Sequence, residues 1–407
     1  MTQRQLFDLP ASPIYLSAAS RSPMPRRVVE IGTRALRRKM SCPWSIAATS
    51  DQEIEETVRN LWAKLLNAPG GANDMAYTPS CSYAISVAAN VILASDQVHA
   101  GDDILVLSDQ MSSNVYPWQD LANKTGATVR AVILGDAVTW TDAILTSCWW
   151  QSDTVKVLAV PNVHWCDGAL LDLVKIGSAA KSHGVILVVD ATQSLGAYPL
   201  DVQAVNPDFV AASAHKWLMG PYGVCLLYVA AQWQQQSFAA PLEYHEHNRV
   251  GADGDTCLPM LQYKVKAFTG YEERYKMGAR RFDSGGRPNP VLLPMVCEAL
   301  KMVLAWDPQH IHVTLTAMTT KIGLAAGRLG LSIPAQHGGH IVGISKKHDS
   351  EWADRCSTFL KSRGVIIASR FGKLRVAPHL YNTQQEIHLF CTLLKEFVYQ
   401  DSIESKL

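Results

Sequence analysis

Short apolar runs alternate with helical stretches through the middle of the chain. Runs rich in β-branched residues cover 104–107, 129–134, 155–160, 185–189, 209–212 and 224–229. The stretches between them carry apolar residues at helical spacing, as in 171–183, which stops at Gly184. Buried strands that alternate with covering helices are typical of a mostly parallel sheet, so the pattern predicts an α/β fold.

The pattern changes after the sixth run and divides the chain. Residues 233–276 are polar and aromatic with several glycines, which is typical of a loop at the rim of a site. A long apolar helix is predicted over 291–306, and a second alternating region ends in a helix over about 384–398. We expect three parts, namely an N-terminal segment that packs with the small domain, a large domain, and a smaller C-terminal α+β domain. They cover 1–30, 31–288 and 289–407.

Composition narrows the choice of partners. The 407 residues include 37 Lys plus Arg and 36 Asp plus Glu, which gives a net charge of +1. Nucleic acid or an anionic membrane as main partner would require a clustered basic excess, so a small ligand is the better expectation. The first eight residues lack an apolar signal core, and no apolar run approaches the ~18 residues of a membrane helix. A cytoplasmic protein is therefore expected.

The cysteines argue against a metal or disulfide framework. All nine are scattered, and none forms a CxxC pair. A zinc site or a set of structural disulfides would show regular pairing, so we expect reduced thiols and no metal.

Two charged residues directly follow predicted strands. Asp190 ends the run at 185–189, and Lys216 closes the sequence Ser-Ala-His-Lys at 213–216 after the next run. Ligands of such sheets gather at the carboxyl ends of the strands. A partly buried Asp there requires a cationic or protonated partner, and a desolvated Lys amine is a nucleophile.

Five ordered motifs resemble the class V aminotransferase and cysteine desulfurase-like family, whose members use pyridoxal 5'-phosphate and have fold type I. The resemblance covers nearly the whole chain. Its motifs are Tyr-Leu-Ser-Ala-Ala at 15–19, Asn-Val-Tyr-Pro-Trp at 114–118, Ser-Ala-His-Lys at 213–216, Arg-Arg-Phe-Asp at 280–283, and the segment from Leu to Thr at 374–383.

The resemblance implies roles around the cofactor. Lys216 would form the Schiff base, Asp190 would pair with the pyridine nitrogen, and Gln193 would contact the ring hydroxyl. A carboxylate at the ring nitrogen keeps it protonated, so that the ring accepts negative charge from the substrate α-carbon. The phosphate site would include the start of a helix predicted over 82–93, where backbone NH groups favour an anion. The residues expected at the phosphate are Cys81, Ser82, Ser213 and His215.

Three cofactor positions depart from the family pattern, and the first is Cys81, which stands where a hydroxyl residue is usual. Met111 stands where relatives place an aromatic ring over the cofactor, and a thioether can lie against that ring but cannot carry protons. Gly286 stands in the segment 284–287, which resembles the part that reaches the phosphate of a neighbouring subunit. The resemblance therefore implies a homodimer with shared active sites, with Gly286 contributing only backbone groups.

The expected substrate contacts lie on three segments. Arg375 resembles the family's carboxylate clamp, because a guanidinium grips a carboxylate with two parallel hydrogen bonds, and Arg370 is a second candidate. Trp165 and His164 follow the run at 155–160 and are expected to shape the pocket or to transfer a proton. His245 and Asn248 form a polar cluster on the predicted rim loop, and its two histidines, 245 and 247, lack the third ligand of a metal site.

These residues favour chemistry at the α-carbon of a small amino acid, through an external aldimine and a Cα carbanion. Transamination and β-elimination, such as carbon-sulfur cleavage, are the leading expectations. No Cys occurs in 365–375, so a persulfide-type cysteine desulfurase is not expected. Epimerisation or racemisation, decarboxylative carbon-carbon bond formation and a non-catalytic interaction module of the same fold stay open. An NAD-dependent enzyme is disfavoured because no GxGxxG follows an early strand.

Overall fold

The computed structural model describes residues 3–46, 49–150, 152–235, 241–244, 248–249, 273–286 and 289–404, the side chains of 49–52 and 404 excepted. In this part of the chain, seven strands form one sheet in the order β2-β8-β7-β6-β5-β3-β4. The pairs from β7 to β4 are parallel, and β8 is antiparallel to both of its neighbours. The predicted α/β fold with a mostly parallel sheet is therefore confirmed.

In the large sheet, strands β3 to β8 agree with the six apolar runs to within two residues at each end. The seventh strand of that sheet, β2, was not predicted by the runs. The strands are β1 (Ile14–Tyr15), β2 (Met75–Thr78), β3 (Asp103–Leu107), β4 (Thr128–Val132), β5 (Val155–Pro161), β6 (Ile186–Asp190), β7 (Phe209–Ser213), β8 (Cys225–Val229), β9 (Val342–Ile344), β10 (Val365–Ile366), β11 (Ala368–Arg370) and β12 (Lys373–Val376).

Helices cover both the sheet and the C-terminal region. They are α1 (Arg26–Ser41), α2 (Thr49–Leu66), α3 (Cys81–Ala94), α4 (Tyr116–Thr125), α5 (Trp140–Leu145), α6 (Leu173–His183), α7 (Val202–Val205), α8 (Leu292–Trp306), α9 (Pro308–Arg328), α10 (Trp352–Ser362) and α11 (Gln384–Glu404). None of the described helices is both long and apolar enough to cross a bilayer.

Local signals fix the helix ends. The side chain of Asp172 caps α6 by accepting a hydrogen bond from the Lys175 backbone NH at 3.0 Å. Gly184 ends the helix with φ +66°, a left-handed conformation that glycine adopts without the strain of a Cβ. The next strand, β6, follows almost at once, so that its carboxyl end lies at a defined edge of the sheet.

A second sheet, of three strands in the order β11-β12-β9, belongs to the C-terminal region. Strand β1 forms a separate parallel pair with β10, through Ile14 opposite Val365 and Tyr15 opposite Ile366. The N-terminal segment thus packs against the C-terminal region. Both lie beside the carboxyl edge of the large sheet, where the candidate site is found.

Candidate active site

The predicted site residues Asp190, Ser213 and Lys216 follow neighbouring strands of the large sheet. Asp190 is the last residue of β6, Ser213 is the last residue of β7, and Lys216 lies three residues further on. The two strands are parallel, with Asp190 opposite Ala211. Their carboxyl ends therefore share one edge, as the sequence predicts.

Asp190 is a buried carboxylate with one oxygen engaged. Oδ1 accepts a hydrogen bond from the Thr192 backbone NH at 2.9 Å. The hydroxyl of Thr192 in turn accepts from the Ser213 backbone NH at 3.2 Å, which ties the ends of β6 and β7 together. Within the described residues, nothing donates to Oδ2 of Asp190, so that oxygen is available to a ligand.

Lys216 carries the amine of the site. Burial lowers the pKa of Lys216, the negative charge of Asp190 raises it, and the guanidinium of Arg375 lowers it again, with a net decrease. No hydrogen bond or ion pair joins Nζ to another described residue. A lowered pKa increases the neutral fraction of an amine, and the neutral form is the nucleophile.

Two hydrogen bonds fix the side chain of Gln193. Its Oε1 accepts from Trp217 Nε1 at 3.0 Å, and its Nε2 donates to the Ala19 carbonyl at 3.1 Å. The backbone carbonyl of Gln193 lies 2.5 Å from His340 Nε2. One amide N–H is left for the ring hydroxyl contact that the resemblance implies, and that contact stays a prediction.

The start of α3 forms the opposite end of the site. Ser80 caps the helix by accepting from the Tyr83 backbone NH at 3.2 Å, and its hydroxyl lies 3.0 Å from that of Ser82. The Cys81 thiol is buried against the strand ends. A hydrogen bond with Cys225, together with burial and the charge of Asp190, holds the pKa of Cys81 well above its usual range. Cys81 is therefore a neutral thiol.

Arg375 on β12 is a buried cation that reaches the site from the C-terminal region. The side chain is 2% exposed, Nη1 donates to the Trp165 carbonyl at 2.7 Å, and Nη2 donates to the Ser20 hydroxyl. Among the described residues, its Nε has no hydrogen-bond partner. Burial and the nearby Arg370 lower the pKa of Arg375 to about 10, which leaves it charged at neutral pH. A buried donor without an acceptor is suited to a carboxylate ligand.

The structure places Trp165 beside this cation. Its Nε1 donates to the Asp109 carbonyl at 2.6 Å, and its ring meets Phe371 edge-to-face at 5.8 Å. Arg370 donates to the Ser369 carbonyl at 2.6 Å and is half-buried. Trp165 and Arg370 are thus brought together with Arg375, as expected for residues that contact one ligand.

His164 is directed elsewhere. It is buried, stacks on Trp140 with ring centroids 5.3 Å apart, and its Nδ1 lies 3.3 Å from Asp167 Oδ1. Burial alone would raise the pKa of Asp167, but contacts with His164 and Lys373 outweigh it and hold that pKa well below its usual range. No described contact joins His164 to Lys216, Asp190 or Arg375, so its surroundings are structural and do not support a proton-transfer role.

Of five other expected residues, the structure describes four. His215 stacks on Tyr222 with centroids 3.9 Å apart, and burial together with the charge of Lys216 lowers the pKa of His215 to about 4. Met111 is 40% exposed beyond the end of β3, and Gly286 has φ +69° on an exposed segment. Asn248 is buried and donates to the Glu243 carbonyl at 3.0 Å. His245 lies outside the described residues, as does His247.

Two residues at the site were not selected from the sequence. Asn162 directly follows β5, and its backbone NH donates to the Asp190 carbonyl at 3.2 Å. Its buried Oδ1 accepts no hydrogen bond from the part of the chain that the structure describes. The sequence signal that could have identified Asn162 is its position shortly after the apolar run at 155–160. Ser20 binds Arg375 from one residue beyond the N-terminal motif at 15–19, and only the fold shows that the two meet.

The site therefore combines a desolvated amine, a buried carboxylate, a helix N-terminus and a buried guanidinium. Within the described residues, no group of three or more His, Cys, Asp or Glu is arranged to hold a metal ion. Such a set suits an anionic carbonyl compound together with a carboxylate.

The family model described as aminotransferase class-V matches residues 14–257. The chain belongs to this family.

The chain is similar over most of its length to an uncharacterized aminotransferase, YcbU, of Bacillus subtilis. The two are 27% identical over 391 residues, which is 94% of each chain. In fold it is similar to the apo structure of a cysteine desulfurase from Thermococcus onnurineus, with a TM-score of 0.80, 20% identity, and coverage of 98% of this chain and 97% of that one.

It is also similar in fold to the cystine C-S lyase C-DES. A C-DES mutant with glycine covalently linked to its pyridoxal phosphate cofactor gives a TM-score of 0.78 at 18% identity, with 97% and 99% of the two chains covered. A C-DES complex with its product, cysteine persulfide, gives a TM-score of 0.76 at 20% identity, with 94% and 98% covered. The expected fold type I is confirmed.

The site fits the cofactor of the family, pyridoxal phosphate. The amine of Lys216 suits its aldehyde, the unengaged oxygen of Asp190 suits a protonated ring nitrogen, and the N-terminus of α3 suits its phosphate. The expectation of a pyridoxal phosphate-dependent enzyme is confirmed.

Proposed function

We propose that the enzyme acts on an α-amino acid by removal of the α-proton, and that it is a transaminase or a β-eliminating carbon-sulfur lyase. The observation that carries this proposal is the group formed by Lys216, Asp190 and Arg375. Burial and the charge of Arg375 lower the pKa of Lys216, and the charge of Asp190 only partly opposes this decrease. One site thus holds an amine for the cofactor and a cation for the substrate carboxylate.

Each residue has a separate task. Bound pyridoxal phosphate supplies an electron sink for negative charge at the substrate α-carbon. Asp190 keeps a positive charge at the ring nitrogen, which makes that sink effective. Arg375 holds the substrate carboxylate and thereby fixes which bond of the α-carbon faces Lys216. Lys216 accepts the α-proton at Nζ and returns it later, because its pKa is lowered towards neutral pH.

The geometry before Arg375 argues against persulfide chemistry. Arg370 pairs with Lys373, so only Phe371 and Gly372 join β11 to β12. A persulfide-forming Cys requires a mobile loop, and this two-residue turn leaves no space for one. Among the described cysteines, Cys356 is fully buried within α10, and burial raises its pKa. Cys166 is also buried, which raises its pKa to about 12.

We also propose a homodimer with shared active sites. Tyr116 at the start of α4 and Leu242 line one groove beside α3 and are 65% and 37% exposed, and Met111 shortly before α4 is 40% exposed. Light scattering coupled to size-exclusion chromatography measures the mass directly. A mass of twice 44.7 kDa is expected, and a monomer that retains full activity would contradict this proposal.

Product analysis tests the reaction. The purified enzyme with pyridoxal phosphate is given amino acids with and without a β-sulfur leaving group, together with a keto acid acceptor. A keto acid that retains the β-substituent, formed together with the amino acid of the acceptor, indicates transamination. Release of the β-sulfur group as a thiol, with ammonia and a keto acid that lacks the sulfur, indicates β-elimination. Sulfur bound to a protein cysteine, found by intact mass, would contradict the proposal.

Borohydride reduction tests the role of Lys216. Reduction should attach the cofactor covalently to the peptide that contains Lys216, and Lys216→Ala should lose both this mass increase and turnover. Lys181→Ala, a change of an exposed lysine on α6, is the matched control and should retain both. Full turnover of Lys216→Ala would exclude the assignment.

A further inference from the structure

The three-stranded sheet places three cations on one face. In its antiparallel register, Arg375 lies opposite Ala368, and Lys373 lies opposite Arg370. Directly opposite residues share a face, and so do residues two apart on one strand. Arg370, Lys373 and Arg375 therefore project from the same side of the sheet, which is the side where the Trp165 carbonyl meets Arg375.

Only one of these cations has an acidic partner. Lys373 forms an ion pair with Asp167, which is itself buried. Within the described part of the chain, no carboxylate lies within 4.0 Å of Arg370 or Arg375. Their partners are neutral oxygens: the Ser369 carbonyl for Arg370, and the Trp165 carbonyl and Ser20 hydroxyl for Arg375.

The two guanidiniums are close enough to act on each other. After burial, the positive charge of Arg370 is the main cause that lowers the pKa of Arg375. Their positions are diagonal in the register, and Cβ atoms of diagonal neighbours are about 7–8 Å apart, within reach of long side chains. Buried or half-buried like charges are costly unless anions compensate them, so this arrangement calls for more than one negative group.

We propose that the substrate is a dicarboxylic amino acid, whose α-carboxylate binds Arg375 and whose side-chain carboxylate binds Arg370. This inference rests on the proposed function and specifies its substrate class. Among the described residues, the buried Nε of Arg375 has no hydrogen-bond partner. This edge of the guanidinium can therefore bind a single carboxylate. Trp165 and Phe371 lie beside the two cations and can cover the methylene chain between the carboxylates.

Asp167 explains why the third cation is not part of this recognition. Because it already holds Lys373, only Arg370 and Arg375 stay available to the ligand. A neutral amino acid would satisfy Arg375 and leave Arg370 unpaired. Discrimination therefore depends on Arg370, and charge-assisted hydrogen bonds of this kind correspond to about tenfold in affinity or more.

Binding of unreactive acids tests the inference without turnover. Calorimetric titrations of the pyridoxal phosphate-loaded enzyme would compare glutarate with butyrate, which lacks the second carboxylate. Wild type should bind glutarate at least about tenfold more tightly. Arg370→Gln should remove that preference and lower the affinity for butyrate much less than the affinity for glutarate. Arg363→Gln, a change of an exposed arginine that pairs with Glu396, is the control and should preserve the preference.

Two results would overturn the inference. Equal loss of glutarate and butyrate affinity in Arg370→Gln would mean that both arginines hold the same carboxylate. Equal affinity of the two acids in wild type would mean that no second anion site exists. Failure of the proposed function looks different: glutarate would still be preferred, but neither glutamate nor any neutral amino acid would yield a product or change the cofactor absorbance.

Discussion

Asp167 binds Lys373 on β12 through its side chain, and the Asp167 carbonyl accepts the Gly343 backbone NH at 2.8 Å on the neighbouring β9. Gly343 is the residue opposite Arg375. The turn that carries Asp167 also supplies the Trp165 carbonyl to Arg375. The turn after β5 and the strands that carry Arg375 and Gly343 are thus held together as one unit.

We expect Asp167→Asn to weaken substrate binding through this unit. The change removes the charge that holds Lys373 and leaves a cation beside Arg375, so the guanidinium is less well fixed. KM for the amino acid should rise about tenfold, whereas kcat, which depends on Lys216 and Asp190, should change little. Asp167→Glu keeps the charge and should recover part of the loss. Steady-state kinetics of both variants measure this, and a fall in kcat at constant KM would contradict the positioning role.

Gly343→Ala should disturb the same contact by steric clash. A Cβ at this position would lie 2.5 Å from the Asp167 Cβ and 2.6 Å from its Cα, so the turn or β9 must shift. Gly327→Ala on α9 is the matched control, because a Cβ there meets nothing within 4 Å and alanine favours a helix. Chemical unfolding should show a loss of about 1–3 kcal/mol for Gly343→Ala and no loss for the control. Equal stability of the two variants would show that the turn adapts freely.

A buried ion pair fastens the motif at 280–283 to the large sheet. Arg59 Nη2 lies 2.7 Å from Asp283 Oδ2, and Asp283 Oδ1 accepts from the Tyr77 backbone NH at 2.8 Å. Arg59→Met leaves this carboxylate without its cation and should cost about 3–5 kcal/mol of the free energy of unfolding. The double variant Arg59→Met/Asp283→Leu should be less destabilised than the single one in denaturant unfolding. A larger loss in the double variant would show that the attraction between Arg59 and Asp283 stabilises the fold by more than the desolvation of the two charges costs.

Acid should destabilise the enzyme through a buried histidine. His379 Nδ1 accepts from the Leu380 backbone NH at 2.7 Å, and burial lowers the pKa of His379 to about 3. The unfolded chain takes up this proton near pH ~6.5, so the folded state loses stability as the pH falls from there towards 3. The slope from one such group is at most about 1.4 kcal/mol per pH unit. His379→Asn keeps an acceptor without titrating, and its unfolding free energy between pH 7 and 4 should fall less steeply; an unchanged slope would exclude His379 as a source.

The structural features that depend on the local pattern of apolar residues could be predicted from the sequence. The runs before Asp190 and Ser213 are apolar throughout because both faces of their strands are covered, and that property also fixed which residues reach the carboxyl edge. Strand β2 was missed because Met75–Thr78 is too short and mixed to show a period. Helix α9 was missed because threonines and histidines interrupt its apolar spacing, and packing against α8 and α11 overrides that weak signal.

Contacts between segments that are far apart in the chain could not be predicted from the sequence. His164 follows a strand just as Asp190 does, yet it turns towards Trp140, because Asp167 and a stacked ring offer it buried partners there. Ser20 and Arg375 are separated by 355 positions, and only the folded chain reveals their hydrogen bond. The cofactor and substrate roles assigned by resemblance, those of Lys216 and Asp190 included, stay predictions, as do the domain boundaries.

The contacts of the first twenty residues set an order on the synthesis of this enzyme. Ala19 and Ser20 bind Gln193 and Arg375, and β1 pairs with β10, which follows every strand of the large sheet in the chain. A chain synthesised as far as β8 can therefore pair the strands of the large sheet, whereas Ser20 cannot meet Arg375 until β12 has been made. The contacts of Arg375 with the N-terminal segment thus form later than the sheet that carries Asp190.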